Sequence, residues 1–195
     1  MLRSIVIAGV GGQGTLLASK ILSEAAQKKG LFVRTSETIG MAQRGGSVSS
    51  HLRIGAEDVS PVIPFRHADI LLAFELAEAV RQLTRVSPNA RGVINTDCLI
   101  PTNVVLRQGV YLKDKYVALL KESLHDSVFI SGTPIALEAG DARSLNMVLL
   151  GAGVGAGILP FSEADILEVM KELIKPKLIG INVHAFELGV RAGKQ

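Results

Sequence analysis

Short apolar runs alternate along this chain with stretches of helical period. Ser4-Ile5-Val6-Ile7-Ala8 is rich in β-branched residues and closed by glycines, which predicts a buried strand. From Thr15 the period changes. Leu17, Ile21 and Ala25 recur at i, i+4 with Leu22 beside them, while Lys20, Gln27, Lys28 and Lys29 take the wet face. Gly30 stops this predicted helix, and the cations before it suit the negative end of the helix dipole. Leu31 to Thr35 predicts a second strand, and Ser36 to Gly46 a polar loop. Val48, Leu52 and Ile54 then alternate with Ser47, Ser49, His51 and Arg53, which predicts a strand with one wet face at or near a sheet edge.

Ala68 to Phe74 contains another buried strand, and Glu75 to Leu83 should form its helix. Ser87-Pro88-Asn89 reads as a turn, Gly92 to Asn95 as a strand, and Val104 to Leu106 as a short strand. Lys115 to Leu124 reads as helix and Val128 to Ile130 as strand. The last 50 residues read as entirely helical. One helix is expected from about Asn146 to Ile158, where Gly151/Gly155 and Gly153/Gly157 make small ridges for a close neighbour. Ser162 and Asp165 resemble a capping box, with Ile166, Met170 and Leu173 as the apolar stripe. Pro176 ends that helix, and a last one carries Asn182, Ala185, Phe186 and Gly189. The expected fold is α/β: a Rossmann-like, open, mostly parallel sheet with flanking helices and an all-helical C-terminal part, in a single domain over 1–195.

Composition narrows the function. Hydrophobic residues make up 48% of 195 residues, enough for one sizeable core. The net charge is +3, but the basic residues are dispersed, with no run or aromatic-interleaved stripe, which argues against nucleic acid. Cys98 is the sole cysteine. An internal disulfide is excluded, a reducing cytoplasm fits, and an Fe–S cluster held by this chain alone is excluded too. His51, His67, His125 and His184 show no metal-ligand spacing. The most apolar stretch, Met147 to Phe161, is too short for a membrane span and holds Pro160. A soluble, cytoplasmic protein is expected.

Gly9-Val10-Gly11-Gly12-Gln13-Gly14 satisfies G-x-G-x-x-G between a predicted strand and helix. Glycines admit a ligand to the backbone, and a helix N-terminus offers unpaired N–H groups to an anion. Glu37 is a candidate for the ribose contact of a dinucleotide site. Two other readings stand beside it: a tight turn with glycine for packing alone, or a loop shown to a partner subunit. The second match, Gly151 to Ala156, sits too close to Pro160 for a phosphate-binding helix and reads as packing. Glu75 and Glu78 read as the solvated face of a helix. His51 is weighed as a functional histidine against the commoner structural role. Nothing forms a self-sufficient catalytic set.

Four segments carry a resemblance. Gly9 to Ser19 resembles the opening of the gamma-type domain of the 2-oxoacid:ferredoxin oxidoreductases. Ser36-Glu-Thr-Ile-Gly-Met-Ala-Gln-Arg-Gly-Gly-Ser-Val-Ser-Ser-His-Leu-Arg53 is similar to the indolepyruvate branch. Asp69 to Glu75, and Asn182 to Phe186 with Gly189, match later family features. The resemblance implies an enzyme that oxidatively decarboxylates an arylpyruvate, transfers the acyl group to coenzyme A and passes electrons to ferredoxin. It implies that no cofactor is bound by this chain alone. Thiamine diphosphate and 4Fe-4S clusters would sit on a large alpha subunit, this chain's partner, with coenzyme A in the complex. No nucleic acid or membrane partner is implied. Gly11, Gly12, Gln13 and Gly14 would form a backbone surface beside the partner's active site. Gln43 and Arg44, between flexible glycines that include Gly45 and Gly46, would reach across to it, Arg44 as a planar fork for a carboxylate or phosphate. The rival is a stand-alone NAD(P)-dependent oxidoreductase using Gly9, Gly11, Gly14 and Glu37. A third reading is a scaffold that only orders the large subunit.

Overall fold

The computed structural model describes residues 2–39, 45–55, 59–99, 106 and 110–195. Six strands form one sheet: β1 (Arg3–Val10), β2 (Val33–Ile39), β3 (Ser47–Ile54), β4 (Ala68–Ala73), β5 (Val86–Asn95) and β6 (His125–Ile130), in the order β2-β3-β1-β4-β5-β6. β1, β4, β5 and β6 are parallel neighbours. β3 runs antiparallel between β1 and β2, with Val10 opposite Ser47 and Ile39 opposite Val48. The sheet is thus mostly parallel and open, as its alternating pattern predicts.

Among the described residues, seven α-helices flank it: α1 (Thr15–Lys28), α2 (Leu76–Arg81), α3 (Lys113–Ser123), α4 (Gly132–Glu138), α5 (Leu145–Gly155), α6 (Glu163–Leu173) and α7 (Pro176–Gly193). β1 is buried on both faces, which is why it reads as a continuous apolar run. Ile5 and Ile7 pack into the core under α1, α5, α6 and α7. Val6 and Ala8 pack into the smaller core with Leu76 and Ala79 of α2 and Leu120 of α3.

The expected wet face of β3 is dry except at Ser47, which is exposed. Ser49, His51 and Arg53 are all buried. The segment leading to β4 lies over that face: Ile63 N–H donates to His51 Nδ1 at 3.0 Å, and Arg53 Nη1 donates to the Ser60 carbonyl at 3.1 Å. β3 is second from the edge, and β2 is the edge strand. β2 also runs further than expected, through Ser36 to Ile39 of the anticipated loop. Ser87-Pro88-Asn89 falls inside β5 but off the ladder. From Val86 to Arg91 β5 advances five residues (91 − 86) while its partner advances two (70 − 68), so the surplus bulges out where Pro has no N–H to give. The short strand expected at Val104 to Leu106 lies outside the described residues, apart from a helical Leu106. α4 was not anticipated.

In the helical part, the Ser162/Asp165 capping box forms with both bonds present, at 3.2 and 2.8 Å. Pro176 occupies the first turn of α7, where its missing N–H costs nothing, so it opens that helix as well as separating it from α6. A Cβ on Gly151 would stand 2.1 Å from the Phe186 carbonyl oxygen of α7, and one on Gly155 would stand 2.2 Å from that of Val190. Gly189 and Gly193 of α7 face Val148 and Ala152 of α5 as closely. The Gly151/Gly155 ridge is therefore real. The Gly153/Gly157 ridge is not: Gly153 faces Leu159 and Val93, while Gly157 follows the helix at φ +62°.

Candidate functional site

The carboxyl ends of β1, β4, β5 and β6 meet along one edge, where open α/β sheets place their sites. Because β3 is antiparallel, its N-terminal end reaches the same edge. This brings Gly45 and Gly46 beside the loop after β1. Gly11 N–H donates to the Gly46 carbonyl at 2.8 Å, and Gly45 N–H donates to the Gly11 carbonyl at 3.1 Å. The two glycine-rich segments that the sequence singled out are thus joined. Gln43 and Arg44, just before Gly45, lie outside the described residues.

Gly14 caps α1 at φ +79°, in the left-handed region that favours glycine, and a Cβ there would stand 2.5 Å from Asn146 Nδ2. Its carbonyl takes the first helical bond, from Ala18 N–H at 3.1 Å, so the N–H groups of Thr15, Leu16 and Leu17 precede the intrahelical ladder. They border an open depression of about 520 Å³ lined by Gly11, Gly12, Gly14, Thr15, Leu16, Leu17 and Val48. Free N–H groups at a helix start favour an anionic group. Gln13 is turned inward. Its Oε1 accepts the Val10 N–H at 2.9 Å and its Nε2 donates to the Phe74 carbonyl at 3.1 Å.

Glu75 and Glu78 correct the reading of a solvated helix face: both are buried, at 2% and 3% exposure. Glu75 caps α2, its Oε2 accepting the Glu78 N–H at 3.0 Å, and its Oε1 receives the Tyr111 hydroxyl. The Tyr111 oxygen also accepts the Ala77 N–H at 3.2 Å. Burial and the adjacent Glu75 push the Tyr111 phenol well above its ordinary range. Glu78 accepts the Ser47 hydroxyl at 2.6 Å and pairs with Arg81. It therefore fastens the start of β3, next to Gly46, onto α2. Sequence reasoning missed both residues because three-residue spacing looks alike on a wet face and on a helix start driven into a loop cluster. The available signal was position, since Glu75 directly follows a buried strand, where a cap is needed.

Beyond β5, Thr133 N–H donates to Asp97 Oδ2 at 2.6 Å, and the Ser131 hydroxyl donates to Oδ1. Cys98, Tyr111, Lys113 and Leu137 line a neighbouring hollow. Burial pushes the Cys98 thiol up, away from a reactive thiolate. Among the described residues no group of three or more His, Cys, Asp or Glu is arranged to hold a metal, and no helix is long and apolar enough to cross a membrane. Among the described residues the edge offers the backbone groups of Gly11, Gly14, Gly45 and Gly46 and the buried carboxylates of Glu75 and Glu78.

Glu37 is not placed as a dinucleotide site requires. It pairs with Ser50 of β3, which separates it from β1.

The pyruvate ferredoxin/flavodoxin oxidoreductase family model matches residues 4–192. The indolepyruvate oxidoreductase subunit IorB of Methanothermobacter thermautotrophicus is 38% identical over 193 residues, covering 98% of each chain. Solved structures share the fold. The gamma subunit of a keto/oxoacid ferredoxin oxidoreductase from Geobacter sulfurreducens superposes with a TM-score of 0.70 at 20% identity, covering 98% of both chains. The 2-oxoglutarate:ferredoxin oxidoreductase of Magnetococcus marinus superposes at 0.75 with 22% identity, and there this chain spans 99% of its own length but 31% of the larger chain. The chain belongs to the pyruvate ferredoxin/flavodoxin oxidoreductase family, in its group of indolepyruvate oxidoreductase IorB subunits.

Proposed function

We propose that this chain is the small subunit of an arylpyruvate-oxidising 2-oxoacid:ferredoxin oxidoreductase, and that it contributes a preformed loop edge to a site completed by a larger subunit. The full-length similarity to IorB subunits carries the reading. In the overall reaction an oxoacid such as indolepyruvate loses carbon dioxide, its acyl group passes to the thiol of coenzyme A, and two electrons leave one at a time to ferredoxin. Thiamine diphosphate and 4Fe-4S clusters reside on the larger subunit. A cluster typically needs about four cysteine ligands, and this chain has Cys98 alone.

The face toward the larger subunit is the edge bearing Gly11, Gly12, Gly14, Gly45 and Gly46. The helix N–H groups that precede the intrahelical ladder there favour a carboxylate or a phosphate over a neutral group. Gln43 and Arg44 directly precede Gly45 in the chain, and the guanidinium of Arg44 would be the planar charged fork for a carboxylate or phosphate. Gln13 supports this surface from behind.

The test is Arg44→Ala, reconstituted with the large subunit, with assembly and arylpyruvate oxidation both measured. The variant is expected to melt like the wild type, within about 0.5 kcal/mol of stability. Assembly or turnover is expected to fall by about 2–5 kcal/mol equivalent, the cost of truncating one partner of a buried charge pair. Wild-type values for both would withdraw Arg44 from the site.

A further inference from the structure

The last backbone rung joining β4 to β1 runs from Phe74 N–H to the Ala8 carbonyl, at 2.8 Å. Past it the strand-end loops diverge, and side-chain amides take over. The Phe74 carbonyl receives two of them, Gln13 Nε2 at 3.1 Å and Asn95 Nδ2 at 3.0 Å. Gln13 comes from the loop after β1, and Asn95 ends β5, the strands on either side of β4. Each amide is also used at its oxygen. Gln13 Oε1 takes the Val10 N–H, while Asn95 Oδ1 takes the N–H of Gly132 at 3.0 Å and of Asp97 at 3.3 Å. One acceptor thereby ties together the loops that follow β1, β4, β5 and β6.

We infer that Gln13 and Asn95 form an amide latch on the Phe74 carbonyl, and that Gln13 is a positioning residue for assembly with the large subunit, not a ligand contact. The inference rests on the subunit reading above. Its physical basis is entropy. Gly11, Gly12 and Gly14 bring no side chains to fix their loop, and glycine loses more conformational freedom on ordering than any other residue. A loop ordered only on docking would take that loss out of the binding free energy. The latch takes it at folding instead, so the small subunit arrives with its edge in register. Because two amides share one acceptor, either alone keeps the Phe74 carbonyl paired.

The experiment uses the full chain reconstituted with its large subunit. Three variants are compared with wild type: Gln13→Met, which has similar length and no polar atoms; Asn95→Asp, which keeps the acceptor for Gly132 and Asp97 but loses the donor; and the double variant. The readouts are the assembly dissociation constant, and kcat and KM for indolepyruvate at saturating small subunit. Gln13→Met removes both Gln13 hydrogen bonds, from Val10 N–H and to the Phe74 carbonyl, and is expected to weaken assembly about tenfold or more, with KM unchanged. The double variant is expected to weaken assembly by more than the product of the singles, because the Phe74 carbonyl is then unpaired. A raised KM with wild-type assembly would make Gln13 a ligand contact. A lowered melting temperature with wild-type assembly would make it merely structural. Either overturns the latch. Asn95 is 1% exposed, so should Asn95→Asp not fold, Gln13→Met decides through assembly and KM. Failure of the subunit reading would look different: wild-type chain that neither joins the large subunit nor supports indolepyruvate oxidation.

Discussion

His51 carries a pH dependence that follows from its surroundings. Ile63 N–H donates to its Nδ1, which fixes the neutral, Nε2-protonated ring, and burial first, then the charge of Arg85, hold its pKa below the ordinary 6.5. In the unfolded chain the ring takes up a proton near 6.5, and in the native chain it does so only at lower pH. Between those two values the unfolded state binds the extra proton. The contribution is therefore fully present above about 6.5 and is lost as pH falls through the window. His51→Asn, which keeps a short acceptor near Nδ1, is expected to flatten this dependence. Urea midpoints at about pH 7.5 and about pH 5.5 measure it, and equal pH losses in both proteins would show that the ring contributes nothing. Residue types were legible in the sequence, but their solvation was not. His51 and Arg53 sit on the face that alternation assigned to water, and only the return of residues 59–67 across β3 dries it. Gln13 was legible as part of a loop, while the direction of its amide depended on the Phe74 carbonyl, 61 residues away.

At the scale of elements, the packing of α5 against α7 is the most sharply specified contact. Glycines on both helices bring the backbones together, and dispersion between two closely packed backbones needs this absence of Cβ atoms. A matched pair within α7 tests it. Gly189→Ala would put a methyl 2.1 Å from the Val148 carbonyl oxygen, whereas a Cβ on Gly180 meets nothing within 4 Å. Gly189→Ala is expected to cost about 1–3 kcal/mol or more as the helices part. Gly180→Ala is expected to stabilise by about 0.5–1 kcal/mol, since alanine restricts the unfolded chain and suits a helix. Equilibrium unfolding of the two variants checks the sign of each, and a loss at both would mean that helix propensity is not the controlling factor at Gly180. The i, i+4 glycines of α5 were legible because an apolar helix with a small-residue ridge has few other uses. Their counterparts Gly189 and Gly193 were not paired with them, since nothing local says which helix a ridge will meet. α4 was missed for a local reason: seven residues hold too few turns for a period, and Pro134 in its first turn reads as a breaker unless the helix start is already known.

At the scale of the whole molecule, one antiparallel strand decides between two uses of the same glycine motif. The local unit of strand, glycine loop, helix and strand is what a dinucleotide-binding domain also displays, and sequence reads it without ambiguity. Topology is where the two diverge. A dinucleotide site needs its second strand next to the first, so that an acidic residue at its end reaches the ribose while the loop holds the pyrophosphate. Here β3 occupies that place, and β2, with Glu37, is displaced to the edge. Two strand spacings amount to about 9–10 Å, too far for a carboxylate to close on a ribose seated at the end of β1. The same insertion delivers Gly45 and Gly46 to Gly11, whose N–H donates to the Gly46 carbonyl at 2.8 Å. The glycine loop is thus committed to a neighbouring loop. NAD and NADP are accordingly expected to bind no tighter than about millimolar, a weak-binding regime of about −4 kcal/mol. Calorimetric titration of the purified chain with each nucleotide measures this directly. A dissociation constant of about micromolar would mean that the edge opens to admit a dinucleotide despite the inserted strand.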